Sequence, residues 1–283
     1  MLRFIKGCVL FISCCGLFLG CAGSEEGQVE APQFNFPEGA MPEFVSVPAG
    51  SFIMGDQAAS GEADERPAHN VKLNTFLISK FEVTWQQYAF FAAATERPLP
   101  ADQGWGRERR PAINVSWNDA LAYTNWLSDK TDDVYRLPTE QEWEYAARAG
   151  AVTLYVSGND PLSVCGFANI ADQSTVAAGL GWNVITECND GVANQTASVG
   201  SYSPNHFGLY DVHGNVWEWV SDCYRDSYDR SVLNVLPRGS CATRVIRGGS
   251  FKQSAMSARL SNRESLAEDD ANDQVGFRIV KER

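Results

Sequence analysis

The chain has 283 residues, eight cysteines, three histidines and a formal charge of −12 from 23 basic against 35 acidic side chains. With 44% hydrophobic and 20% charged residues, it is long and apolar enough for a real core, which excludes a disordered or polytopic membrane protein. The acidic balance excludes nucleic acid as a partner, because phosphates demand Lys and Arg surfaces, and His69, His206 and His213 alone exclude a histidine-rich metal centre.

The first element in chain order is an address. Arg3 and Lys6 precede an uncharged apolar run over 7–20, too short to span a bilayer but right for the core of a signal peptide over residues 1–20. It ends Leu17-Phe18-Leu19-Gly20-Cys21, which resembles the lipobox of bacterial lipoproteins. That resemblance implies cleavage before Cys21 and its acylation, with palmitate among the chains, and more than one acyl chain makes a stable membrane anchor. The implied location is the bacterial cell envelope. Ala22 in place of an aspartate weakly favours the outer membrane. Residues 21–43 lack strand or helix periodicity and are rich in Glu, Gly and Pro, so they are expected to form a flexible tether ahead of one domain over 44–283.

Within that domain, alternation predicts strands at 44–47, 51–54 and 71–78. Three capping boxes then predict helices. Thr84 with Gln87 opens one whose Trp85, Tyr88 and Phe91 share a face. Ser116 with Asp119 opens a second through Tyr123, Trp126 and Leu127, and Thr139 with Glu142 opens a third, stopped at Gly150. After Gly150, turn residues and scattered tryptophans replace periodic runs, so something other than long elements must pin residues 151–283.

Nine motifs occur in a definite order: Gly50-Ser51-Phe52-Ile53-Met54-Gly55, Asp64-Glu65-Arg66-Pro67-Ala68-His69, Phe81-Glu82-Val83-Thr84, Val115-Ser116-Trp117-Asn118-Asp119-Ala120 and Tyr135-Arg136-Leu137-Pro138-Thr139-Glu140. Gly208-Leu209-Tyr210-Asp211, Gly214-Asn215-Val216-Trp217-Glu218-Trp219, Arg247-Gly248-Gly249-Ser250-Phe251 and Gly276-Phe277-Arg278 complete them. Together they resemble the formylglycine-generating enzyme, or sulfatase-modifying factor, superfamily across roughly residues 44–282. The resemblance implies an α+β, C-type-lectin-like fold with much irregular chain.

It also implies a test of activity. Catalytic members hold Cu(I) between two cysteines five residues apart, where soft thiolates select the ion. By ungapped count those positions are Gln253 and Ala258, and neither supplies a thiolate. The iron-binding branch uses histidines of an added helical domain, and nothing of that kind is present. No copper, iron or catalytic residue is therefore expected.

The calcium framework of the family does match. One site corresponds to Asn169, Ile170, Asp190 and Val192, and a second to Asp211, Gly214, Val216 and Glu218, with side-chain and carbonyl oxygens suited to structural Ca²⁺. Cys165, Cys188, Cys223 and Cys241 remain and allow three pairings. Linking Cys165 to Cys188 clamps the two arms of the first site, and Cys223 and Cys241 bracket the loop after the Trp217-Glu218-Trp219 motif. Ser250, Arg259 and Arg263 are candidates for a ligand pocket, with internal ion pairing the alternative for the arginines.

These residues imply a membrane-anchored, non-catalytic binding or scaffold protein whose partner is an envelope protein or peptide. The alternative is an oxidase of the same superfamily acting on a peptide-derived substrate, in formylglycine generation or siderophore maturation.

Overall fold

Each of the three capping boxes starts a helix in the computed structural model, which describes residues 34–181, 184–228 and 241–282. Helix α1 (Trp85–Ala94), α2 (Trp117–Lys130) and α3 (Glu140–Arg148) each have reciprocal side-chain and main-chain bonds between the cap and the third helical residue. Ala149 in the left-handed conformation and Gly150 at φ 93° close α3.

The strands fall into two four-stranded sheets and two ladders. Strands β1 (Phe44–Val47), β4 (Phe76–Ser79), β12 (Val280–Lys281) and β5 (Tyr135–Arg136) form the first sheet in the order β1-β4-β12-β5. The second runs β10 (Arg263–Leu266), β9 (Arg244–Arg247), β8 (Trp217–Cys223), β11 (Val275–Phe277), with β11 parallel to β8. Strand β2 (Gly50–Met54) pairs with β3 (His69–Leu73), and β6 (Ala168–Asn169) with β7 (His213–Gly214). A fourth helix, α4, is one short segment over Gln173–Ala177.

The run expected as one strand over 71–78 is two. It pairs with β2 up to Leu73 and with β1 from Phe76, and the corner is tied by the Ala49 N–H donating to Thr75 Oγ1 at 3.1 Å. Alternation continues across the corner, so periodicity alone does not show the change of sheet.

The main core is aromatic. Tyr88 and Phe91 of α1, Tyr123 and Trp126 of α2, and Trp219 and Phe277 of the second sheet are buried in one cluster, with Phe91 and Tyr123 edge to face at 5.5 Å. Edge contacts of this kind add to the area that aromatic rings bury.

The domain starts earlier than expected. Phe34 and Phe36 lie 6.1 and 5.8 Å from the Trp126 ring. Gln86 and Gln87 donate to the carbonyls of Glu38 and Met41. Residues 34–43 are thus a strap stitched onto α1 and α2, because their two phenylalanines cover an otherwise open aromatic surface. The signal peptide, Cys21 and the tether up to residue 33 lie outside the described residues. No helix among the described residues is long and apolar enough to cross a membrane.

Candidate functional site

The two-residue β6–β7 ladder brings the halves of the site together. Asn169 faces Gly214 across it, and the Asn215 N–H donates to the Asn169 carbonyl at 2.7 Å. Gly214 has φ 75°, and a Cβ there would lie 2.1 Å from that carbonyl oxygen, so the approach requires glycine. Asp211 and Asn215 also adopt left-handed backbone, at φ 58° and 60°, a conformation that Asp and Asn tolerate better than most residues.

Asn215 is the hub of a buried polar chain. Its Oδ1 accepts from the Ala197 N–H at 2.8 Å and from Asn169 Nδ2 at 3.2 Å, while its Nδ2 donates to Glu82 Oε2 at 2.8 Å. Asn169 Nδ2 also donates to the Gln195 carbonyl. Three buried acceptors nearby have no hydrogen-bond partner among the described residues: Asn169 Oδ1, Asp211 Oδ1 and Glu82 Oε1. Glu82 was no candidate by sequence. It lies 133 residues from Asn215 along the chain, and only the fold joins them.

Glu218 and Arg278 close this pocket. Arg278 Nε and Nη2 each donate to a Glu218 oxygen at 2.6 Å, and Trp143 Nε1 donates to Glu218 Oε2 at 2.7 Å. One guanidinium therefore serves a neighbourhood of three carboxylates. Burial, with the charges of Asp211 and Glu218, pushes the Glu82 carboxyl well above its usual range, and burial pushes Asp211 up to about 6.

Orphaned carboxylate oxygens and excess negative charge suit an oxygen-preferring cation. The residues fit one in a modified form. No group of three or more His, Cys, Asp or Glu side chains among the described residues is placed as a metal cluster. An ion would therefore draw on Asp211 Oδ1 and the carbonyls of Gly214 and Val216. Glu218, expected as a ligand, is in this geometry the anchor of Arg278 and Trp143.

The first set is arranged as two separate arms. Asn169 and Ile170 follow β6. On the other arm, Asp190 Oδ1 accepts from the Val192 N–H and Oδ2 accepts from the Tyr202 hydroxyl, both at 2.7 Å. No hydrogen bond among the described residues joins Asn169 to Asp190. A disulfide links Cys165 to Cys188 with 5.4 Å between Cα atoms, and another links Cys223 to Cys241 at 5.6 Å. Of the three pairings open to four cysteines, these are the two bridges between sequence neighbours.

The positions corresponding to the copper cysteines are structural. Ala258 is fully buried. His213 Nδ1–H donates to its carbonyl at 2.7 Å, which leaves His213 Nε2 to accept from the Val156 N–H at 3.1 Å. A Cβ at Gly249 would meet the Ala258 backbone at 3.1 Å. Burial pushes the His213 ring down to about 4, so it is neutral at pH 7. The Gln253 carbonyl accepts from the Ala171 N–H at 2.9 Å, and Met256 is exposed.

Ser250, Arg259 and Arg263, the candidates for a ligand pocket, are engaged with internal partners. Ser250 donates to Gln274 Oε1. Arg259 makes paired bonds to Glu65 at 2.8 and 2.7 Å, and Arg263 to Glu140 at 2.6 and 3.0 Å. All three are buried, and the arginines neutralise buried acids in place of binding an outside anion. Glu144 extends the network to Arg247 and Arg148. Two clefts lie elsewhere, of about 490 Å³ beside Val152, Phe167 and His206 and about 300 Å³ beside Phe52, Ile53 and Phe207.

Comparison with known proteins agrees with the α+β architecture. The family model for the sulfatase-modifying factor enzyme 1-like domain matches residues 30–283. The chain is 32% identical to the formylglycine-generating enzyme of Streptomyces coelicolor, over 84% of this chain and 88% of that one. It is 29% identical to the inactive C-alpha-formylglycine-generating enzyme 2 of Mus musculus, over 84% and 85%. The solved structure of PvdO from Pseudomonas aeruginosa is similar with a TM-score of 0.74 and 34% identity, covering 87% of this chain and 96% of that one.

Proposed function

The chain belongs to the sulfatase-modifying factor enzyme 1-like family, and from that premise we propose that it is a lipid-anchored protein of the bacterial envelope whose domain binds or scaffolds a protein or peptide without catalysis. One observation carries the non-catalytic part. Where the family's copper pair falls, Gln253 bonds through its main chain and Ala258 is a buried packing residue held by His213. Neither provides the thiolate that Cu(I) requires. The orphaned oxygens of Asn169, Asp211 and Glu82 support calcium as a structural ion, and calcium, where bound, supplies local charge balance and rigidity. Cys21 after an apolar signal supports the anchor.

Metal analysis of the purified protein, together with turnover of a cysteine-containing sulfatase peptide, tests this reading. Two calcium ions per chain, no redox metal and a melting temperature lowered by EDTA are expected. Stoichiometric copper with formylglycine product would overturn it. Cys21→Ala is expected to abolish incorporation of labelled palmitate, and unchanged labelling would reject the anchor.

The identity to a formylglycine-generating enzyme supports the second reading, an oxidase of a peptide-derived substrate. The same turnover assay separates the two.

A further inference from the structure

Asp172 stands outside every ligand set considered above, yet it holds one arm of the first site in place. It is 1% exposed and makes no ion pair among the described residues. Its carboxylate is satisfied entirely by neutral donors. Oδ1 accepts from the Ser174 N–H at 2.8 Å and the Ser174 hydroxyl at 2.6 Å, and Oδ2 accepts from the Asp190 N–H at 2.6 Å. Charge-assisted bonds of this length are roughly twice as strong as neutral ones. One side chain thus caps α4 and grips the main chain of Asp190, 18 residues away.

The same arm is fixed at three further points. The Ile185 N–H donates to the Ala171 carbonyl at 3.1 Å, the Gln173 N–H donates to the Cys188 carbonyl at 3.0 Å, and Cys188 is bonded to Cys165. Cys165 lies in the short 3-10 segment Pro161–Gly166, just before β6 and Asn169. The disulfide and Asp172 therefore brace the Asp190 arm against the segment that carries Asn169 and Ile170.

We infer that Asp172 is a positioning residue for a divalent cation at Asn169, Ile170, Asp190 and Val192, and that the Cys165–Cys188 bridge is its partner in presetting that site. This rests on the calcium reading above. Asp172 grips the main-chain N–H of Asp190, so it acts by placing that arm and is not itself counted as a ligand. Groups that orient a metal ligand set affinity because a loose ligand must be ordered when the ion arrives.

Calcium titration calorimetry tests it, with melting temperatures taken in calcium and in EDTA. Asp172→Asn retains size and an acceptor but loses the charge and one of the two gripping oxygens. It is expected to weaken one of two calcium ions by roughly 10–100-fold and to shrink the melting-temperature gain from calcium by more than it lowers the EDTA value. The Cys165→Ser, Cys188→Ser double variant removes none of the donors to Asp172 and is expected to weaken the same ion. It keeps the inference testable if Asp172→Asn fails to fold. Unchanged calcium affinity in a folded Asp172→Asn protein, with equal melting losses in calcium and EDTA, would reduce Asp172 to a helix cap and overturn the inference alone. A wild-type protein that binds no calcium, or an Asn169→Ala variant with unchanged stoichiometry, would overturn the calcium reading and the inference with it.

Discussion

Glu218 and Arg278, 60 residues apart, meet through two bonds of 2.6 Å with neither side chain exposed. This pair ties β8 to the chain just after β11, and Arg278 also donates to the carbonyls of Ser79 and Tyr210. The Arg278 charge also acts on Glu82 and Asp211, opposing the rise of both carboxyls. Removing it strands a buried carboxylate, which costs more than an ordinary cavity. Arg278→Met is expected to lose about 3–5 kcal/mol of stability in urea denaturation. A loss below about 1 kcal/mol, the scale of an exposed pair, would show that water enters this pocket.

Gly214→Ala is expected to be among the most damaging single changes. The new methyl would lie 2.1 Å from the Asn169 carbonyl oxygen and 2.8 Å from Ile170 Cγ2, at a positive φ. The expected loss is at least about 2 kcal/mol, with separation of β6 from β7. Far-ultraviolet circular dichroism and thermal melting measure it, and a melting temperature within a degree of wild type would contradict the described ladder.

His213→Phe keeps the ring volume and removes both ring nitrogens. The buried Ala258 carbonyl and the partly buried Val156 N–H would then lose their partners, at about 1–3 kcal/mol for the first and less for the second. His213→Gln, able to offer a donor and an acceptor, is expected to lose less. Equal losses in chemical denaturation would show that ring packing against Tyr155, and not the hydrogen bonds, matters.

Asp222 supplies a pH dependence. Burial, with the Glu140 charge beside it, pushes its carboxyl up to about 6. A carboxyl raised in the fold favours the protonated form there. Its contribution is complete below its ordinary value near 3.8 and is lost as the pH rises through 6. Asp222→Asn keeps an acceptor for the Glu140 N–H, so it is expected to gain up to about 3 kcal/mol at pH 7.5 and almost nothing at pH 4. Melting curves at the two pH values decide it; equal shifts at both would remove the charge from the explanation.

The strap is open to truncation. A chain begun at residue 44 loses Phe34 and Phe36 from the Trp126 surface and the bonds to Gln86 and Gln87. It is expected to lose about 2–4 kcal/mol against one begun at residue 30, on the scale of large-to-small aromatic changes. Denaturant midpoints of the two chains measure this.

Local chemistry made the helices legible, because each box needs only a Thr or Ser and an acid or amide three residues on. Strand β8 was not legible. Trp217, Glu218, Trp219 and Val220 are all buried, so no polar face alternates with an apolar one. The strap hid behind Glu, Gly and Pro, although Phe34 and Phe36 were the apolar pair that could have signalled it. In the site, the missing thiols at Gln253 and Ala258 were visible in the residues themselves. The bonds from Glu82 to Asn215 and from Arg263 to Glu140 were not, since they join positions 133 and 123 apart, and only tertiary packing decides which acid an arginine meets.

Strand β12 lies between β4 and β5, with Val280 opposite Ile78 on one side and Arg136 on the other. Those neighbours are made some 200 and 144 residues earlier, so the first sheet cannot close until the chain has been delivered as far as 280. Until then the edge of β4 that meets β12 stays without its partner strand. Closing a sheet through contacts of such long range slows folding, because most of the chain must be ordered before the last strand is rewarded.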